Sequence, residues 1–308
     1  MRNQIQSKID DIYLRHLNNT AGSPASYIPE LAKADPRSFA IVVTTIGGEV
    51  FSVGDSEVLF SMQSTSKPFT YGMALQDLGR VFIMSKVGVE PTGEAFNSIV
   101  ELEKNTHKPY NPMINSGAIA ISSFIKGSSF EDRLKNMIEF FSLFTEKKIH
   151  VDEKVFESEK NTAHRNRSIA HLLRHFGVID GNIEDSLDLY FKQCSFSLNT
   201  IDLSLMAATL ANNGVNPKTN NKALNQEYVG DILSLMFTCG MYDTSGKWAY
   251  SVGIPAKSGV SGAIFGVVPG ELGIAVYSPS INEHGHSVRG IKVFQDLSRE
   301  LNLSIFRK

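Results

Sequence analysis

In the stretch FSMQSTSKPFTYGMAL, Ser64 and Lys67 stand three residues apart and Pro68 follows at once. Proline lacks an N–H and disfavours helical geometry in the residue before it, so a helix tolerates it only within the first turn. Pro68 therefore predicts a helix whose first turn spans about 65–68, with Ser64 at its N-terminal end. Unpaired backbone N–H groups and the helix dipole favour developing negative charge there. The three-residue spacing puts both side chains on one face and brings the amine toward the hydroxyl. A serine is a poor nucleophile until its proton is removed, and a lysine removes it only if desolvation or nearby positive charge lowers its pKa. Phe60, Met62, Phe69 and Met73 supply apolar surroundings for that. The spacing alone equally describes an ordinary helix start, and Ser-x-x-Lys recurs at Ser123 and Lys126, late in an expected helix, where the lysine reads as exposed.

A second stretch, CGMYDTSGKWAYSVGIPAKSGVSG, covers residues 239–262 and reaches Lys257-Ser258-Gly259. That is the Lys-Ser/Thr-Gly pattern carried on an inward-facing strand by serine acyl-transfer enzymes of the penicillin-recognising type, and it follows the Ser-x-x-Lys in the expected order. Tyr242 reads as a loop residue after a helix end. A phenol held near Lys67 or Lys257 would have its phenolate favoured and could exchange protons with Ser64; the alternative is a core tyrosine. The Val260 N–H, paired with that of Ser64, would form an oxyanion hole, while the Val260 side chain simply packs. Asn115 precedes a small-residue helix in PYNPMINSGAIA, and Glu159 and Asn166 lie in FESEKNTAHRNRSIAHLL. One continuous helix would put Glu159 and Asn166 on one face; a helix starting near Asn166 would put both at its mouth. Capping or solvation is the competing role for each. His171 and His175 share a face but lack the neighbouring Glu and third ligand of a zinc hydrolase.

These residues need elements to position them. Ile5, Ile9, Ile12 and Tyr13 recur at helical spacing, predicting an opening helix over 4–17, followed by the breaker-rich NNTAGSPASYIPELAKADP, a surface loop expected to move. Two β-branched runs about Gly47-Gly48 predict a hairpin over 38–55, and AIFGVVPGELGIAVYSP predicts another turning at Pro269-Gly270. A helix bearing Ile291, Phe294, Leu297 and Leu301 closes the chain. Between the hairpins the pattern is helical over 69–79, 115–126, 130–144, 166–176, 202–212 and 227–239, with Gly79, Gly127, Gly177, Gly214 and Gly240 as stops. The expected class is α/β of the α+β type: an antiparallel sheet from both chain ends, flanked by helices, with a large helical insertion. One domain spans 1–308, its α/β lobe about 1–63 and 241–308 and its helical subdomain about 64–240.

With 308 residues, 42% of them hydrophobic, the chain can bury a large core. A net charge of −2 without a block of like charges supplies no field for nucleic acid or anionic lipid, so neither partner is expected. The amphipathic start MRNQIQSKIDDIYLRHL lacks the apolar core of a signal peptide, and no apolar run spans a bilayer, so a cytoplasmic protein is expected. Cys194 and Cys239 stand far apart and read as buried thiols.

Taken together, SYIPELA (26–32), MQSTSKPF (62–69), PYNPMINSGAI (109–119), SEKNTAHRN (158–166), LYFKQCS (189–195), CGMYD (239–243) and PAKSGVSG (255–262) resemble the serine-dependent glutaminase family of β-lactamase-like fold. The resemblance implies hydrolysis of L-glutamine to L-glutamate and ammonia with no metal or organic cofactor. It implies Ser64 as nucleophile, Lys67 as its activating partner and Tyr242 as a sharer of proton transfer, with Lys257 in support. It puts substrate-binding positions at Ser64, Asn115, Glu159, Asn166, Tyr190, Tyr242 and Val260, with Tyr27 in a gating segment and Gln63 beside the nucleophile. Glu159 would meet the substrate ammonium; Asn115, Asn166 and the tyrosines, rather than an arginine, would hold the carboxylate by hydrogen bonds. A homo-oligomer, tetramer or dimer, is implied as well. Two alternatives share the motifs: a β-lactamase or transpeptidase, and a non-catalytic amino-acid sensor. Against the first, Asn115-Ser116-Gly117 has the wrong order for the middle motif of such enzymes.

Overall fold

A computed structural model of the protein describes residues 2–93, 98–103 and 107–307. In chain order the strands are β1 (Ala40–Thr45), β2 (Val50–Gly54), β3 (Phe60–Ser61), β4 (His150–Val151), β5 (Phe196–Leu198), β6 (Ala256–Ser258), β7 (Ala263–Val268) and β8 (Leu272–Tyr277). The helices are α1 (Arg2–His16), α2 (Lys67–Lys86), α3 (Val100–Glu103), α4 (Asn115–Ser123), α5 (Phe130–Ser142), α6 (Glu153–Thr162), α7 (His164–His175), α8 (Ile183–Cys194), α9 (Thr200–Ala211), α10 (Gln226–Cys239), α11 (Ser245–Ser251) and α12 (Val288–Glu300).

Both hairpins form where the turn residues place them, and they join one antiparallel sheet of order β2-β1-β8-β7-β6. Alternation along its strands gives the sheet two apolar faces. Ile41, Val43, Ile264 and Val276 point to an outer core closed by Ile5, Ile9 and Ile12 of α1 and Phe294 and Leu297 of α12. Ala263, Phe265, Val267 and Ala275 point to the inner core shared with the helices. There α9 lies directly on the sheet, its Ser204 Oγ 2.6 Å from Thr44 Oγ1 of β1. The helical middle of the chain thus supplies the sheet's own covering helix.

Several elements depart from the sequence reading. Helix α2 runs past Gly79 to Lys86, but Gly79 has φ 76° and ψ 161°, so the chain breaks there and a second helical segment follows. Helix α4 stops at Ser123 because the Arg133 guanidinium takes the carbonyl oxygens of Ser122, Ser123 and Ile125. Lys126 lies beyond it, exposed, donating to the Asp77 carbonyl at 2.6 Å. Helices α3, α8 and α11 were not expected, and α6 was weighed only as part of one continuous helix through Glu159 and Asn166. The small sheet β3-β5-β4 was not expected either. Cys194 and Cys239 are buried free thiols. Among the described residues no helix is long and apolar enough to cross a membrane.

Candidate active site

The small sheet aims the Ser64-x-x-Lys67 segment. Phe60 and Ser61 pair with Leu198 and Ser197, and the Met62 N–H donates to the Phe196 carbonyl at 2.8 Å. The chain then turns through the 3₁₀ segment Gln63–Ser66 into α2, whose first residues are Lys67 and Pro68. Ser64 therefore sits one turn before the α-helix, buried, as Pro68 requires. Gln63, directly before it, has φ 49°, a left-handed conformation that costs energy in a residue carrying a Cβ.

Lys67 is completely enclosed, and its amine donates not to Ser64 but to Asn115 Oδ1 at 2.8 Å. That oxygen also accepts from the Tyr190 hydroxyl at 3.2 Å, and Asn115 Nδ2 donates to Asn166 Oδ1 at 3.0 Å. Asn115 is a hub whose amide orientation is fixed by two donors on one side and an acceptor on the other. Burial lowers the Lys67 pKa to about 8, against the upward pull of Cys194 and Glu159.

The partner of the Ser64 side chain is Tyr242. The Tyr242 hydroxyl donates to the Ser258 carbonyl at 3.1 Å. A carbonyl oxygen only accepts, so the Tyr242 proton is committed to it and the phenolic oxygen is left to accept from Ser64. Sequence reasoning expected a favoured phenolate; instead burial dominates and pushes Tyr242 up to about 12, although the side-chain hydroxyls of Ser64 and Ser258, which favour the phenolate, pull the other way. Tyr242 also has a left-handed backbone, φ 52°. Lys257 is paired in register with Phe265, an inner-core residue, so it faces inward as expected; its amine donates to the Ser258 carbonyl at 2.7 Å and lies 4.0 Å from the Tyr242 ring centroid. Burial, then the Lys67 charge, holds its pKa well below the usual lysine value.

Gly259 lets β6 end against the turn that carries Ser64: a Cβ there would lie 3.0 Å from the Met62 carbonyl oxygen and 3.2 Å from Thr65 Cγ2. Val260, the next residue, packs its side chain with Ala25, Ile28, Leu31 and Val155. Its N–H has no backbone acceptor among the described residues.

These walls enclose a cleft of about 590 Å³, counting its open mouth, lined by Tyr27, Gln63, Ser64, Asn115, Glu159, Asn166, Tyr190 and Val260. Lys67 and Tyr242 stand behind that lining, hydrogen-bonded to Asn115 and Ser64, and Lys257 lies against Tyr242. Helices α6 and α7 are separated by a break at Ala163, so Glu159 ends one helix, Asn166 begins the next and both face the mouth of α7. Burial raises Glu159 to about 7, opposed by a hydrogen bond from Gln63 Nε2 (3.4 Å) and by the Lys67 charge. Arg165, inside the 158–166 segment, also lines the cleft beside Asn166, so an arginine stands at a site that the sequence reading left to amides and tyrosines. Thr162, Ala163 and Ile28 line it too. Their signal was adjacency to residues already singled out, which sequence alone does not turn into direction. His171 and His175 lie on the exposed face of α7, away from this cleft.

A family model described as glutaminase matches residues 22–306. A glutaminase of Trichormus variabilis is 53% identical over 298 residues, covering 97% of this chain and 89% of the relative. Glutaminase 2 of Clostridium perfringens is 46% identical over 310 residues, covering 99% of this chain and 100% of the relative. Among solved structures, the probable glutaminase ybaS superposes with a TM-score of 0.97 at 39% identity, each chain fully covered. Mglu in its glutamate form superposes at 0.95 with 39% identity, covering 100% of this chain and 71% of its own.

Proposed function

The chain belongs to the glutaminase family, amidohydrolases of β-lactamase-like fold, and on that premise we propose that it turns L-glutamine into L-glutamate and ammonia through an acyl-enzyme on Ser64. The observation that carries the Ser64 assignment is the committed Tyr242 proton: it turns the Ser64 proton toward Tyr242 and leaves a lone pair of Ser64 Oγ free for the carboxamide carbon. Ionising Tyr242 at neutral pH costs several kcal/mol, whereas Lys67, at about 8, is neutral in about a tenth of molecules at pH 7. Lys67 is therefore the final proton acceptor and Tyr242 the relay: as Ser64 gives its proton to the Tyr242 oxygen, Tyr242 turns its own proton from the Ser258 carbonyl and passes it to neutral Lys67, so the phenol is never left ionised. The oxyanion rests on the Ser64 and Val260 N–H groups; Lys67 returns the proton to the departing nitrogen and ammonia leaves; Lys67 then takes a proton from the water that attacks the acyl carbon, and that proton goes back to Ser64 Oγ as glutamate is released.

Glu159 meets the substrate ammonium, whose charge favours its ionised form. Asn115, Asn166, Tyr190 and Tyr27 meet the carboxylate, with Arg165 adding positive charge at the rim. The glutamate form of the relative Mglu supports a pocket shaped for this product. No metal or organic cofactor enters the scheme. We further propose the lobe boundaries near residues 63 and 241, a cytoplasmic location and a homo-oligomer, tetramer or dimer.

Ser64→Ala is the direct test. Ammonia release from glutamine should fall by a factor of about 10⁴ or more with an unchanged melting temperature; turnover at the wild-type rate would refute the nucleophile assignment. Running asparagine and a cephalosporin beside glutamine reads out the competing acyl-transfer chemistries.

A further inference from the structure

His286 takes no part in the scheme above, yet it is buried directly against it. Its ring stacks on that of Tyr242 with centroids 5.2 Å apart and planes 13° from parallel. Its Nδ1 lies 2.8 Å from Ser258 Oγ and its Nε2 lies 2.9 Å from Thr244 Oγ1. The Thr244 hydroxyl donates its proton to the Met241 carbonyl at 2.7 Å, so toward His286 it can only accept. Nε2 therefore carries the ring proton, and Nδ1 accepts from the Ser258 hydroxyl. Burial, with the charges of Lys257 and His284, depresses the imidazole pKa to about 3, which keeps this neutral tautomer at every working pH.

We propose that His286 is a positioning residue for Tyr242. It joins the two segments that fix the phenol: the turn Tyr242–Thr244, through Thr244, and strand β6, through Ser258, whose carbonyl takes the Tyr242 proton. The loop that carries it is itself pinned, with Asn282 Oδ1 accepting from the His284 and His286 N–H groups at 3.0 Å each. His284 adds an outer tie to the same turn, Nδ1 to Asp243 Oδ2 at 2.9 Å. Tyr242 holds a left-handed backbone, which persists only where the surroundings over-determine it. A ring stacked flat on the phenol and bonded on both edges supplies that constraint without touching substrate.

The inference rests on the role given to Tyr242 above, and a double-mutant cycle separates the two. His286→Ala should lower kcat on the order of a hundredfold, the cost of about 1 Å of misplacement, with KM changed by less than about threefold. In a Tyr242→Phe background the same substitution should cost under about threefold, because the hydroxyl it positions is gone. Ser258→Ala, which removes the Nδ1 donor together with a hydroxyl beside Tyr242, should show the same coupling at roughly a tenfold loss, and it carries the test if His286→Ala fails to melt cooperatively. Losses that multiply independently on a slow Tyr242→Phe enzyme would overturn the positioning role alone. Undiminished turnover by Tyr242→Phe would overturn the catalytic reading of Tyr242 and this inference with it.

Discussion

The two faces of the main sheet are built from the same strands and do opposite things. On the outer face, Ile41, Val43, Ile264, Val276 and Phe294 pack with α1 in an apolar core whose charged ties, Arg15 to Asp296 and Glu300, stay at the rim. The inner face runs from Phe265 to Lys257, and beyond it the chain buries Lys67, Glu159 and Asn115 and holds Gln63 and Tyr242 in left-handed backbone. One face lowers the free energy of the fold; the other stores unfavourable desolvation where a reaction can use it. A period of two along β6 and β7 is all that separates them.

A paired substitution should break the comparison or sharpen it. Lys67→Met is expected to cut turnover by about 10²- to 10⁴-fold, the usual worth of a proton-transfer group, without lowering stability. Because burial lowers the Lys67 pKa from 10.5 to about 8, the charged amine costs the folded state on the order of 3 kcal/mol below pH 8, and that cost fades as pH rises toward 10.5. The variant should therefore melt at or above the wild-type temperature at pH 7 and lose the gain in stability between pH 8 and 10.5. Phe294→Ala, on the outer face, should do the reverse: about 3–5 kcal/mol of stability lost, with kcat of the folded enzyme unchanged in the cold. Denaturant melts and ammonia release on both variants decide it. A Lys67→Met protein that unfolds like Phe294→Ala would mean that the amine stabilises its own wall.

The outer face was also the more legible one. Strands β1, β2, β7 and β8 announce themselves through β-branched alternation about Gly47-Gly48 and Pro269-Gly270, and α1 and α12 through isoleucine and leucine spacing, since burial against one neighbour imposes one period. Helix α6 was hidden as a helix of its own because its stretch EKVFESEKNT is mostly polar, although Asp152 caps it by accepting from Lys154 and Val155 N–H. Helix α8, which carries Tyr190, has a comparable cap at Asn182. In the site, the residue types of Ser64, Lys67 and Tyr242 were readable, but not that Lys67 would reach Asn115 or that burial would outweigh charge at Tyr242. Those are outcomes of three-dimensional competition between desolvation and hydrogen bonding, which no spacing encodes. Arg165 adds to this: it stands in the 158–166 segment but was passed over there, and only the fold turns it to the cleft.

Glu159 offers a finer test of the inner wall. Its carboxyl is raised from 4.5 to about 7, so in the free enzyme it becomes neutral as pH falls through 7 and, in the role proposed for it, can no longer pair with the substrate ammonium. Lys67, at about 8, is already protonating over that range. The acid limb of kcat/KM should therefore be first order in proton concentration between about 8 and 7 and second order below. Glu159→Gln should raise KM on the order of ten- to hundredfold and leave a single first-order limb. Since Glu159 pulls the Lys67 pKa upward, that remaining limb should also move to lower pH. A second-order limb surviving in Glu159→Gln would assign the proton elsewhere.

The smallest effect is expected at Gln63, where strain and electrostatics can be separated. Its φ of 49° is a conformation glycine adopts freely and alanine does not. Its amide donates to Glu159 Oε2 at 3.4 Å and so restrains the rise in the Glu159 pKa. Gln63→Ala and Gln63→Gly both delete that donor, and both should shift the second-order limb of kcat/KM to higher pH by the same amount. Only the glycine variant also relieves the backbone, so it should exceed the alanine variant by about 1 kcal/mol in a denaturant melt. Equal stability of the two would mean that the turn before Ser64 is not strained and that the inner face stores its cost in buried charge alone.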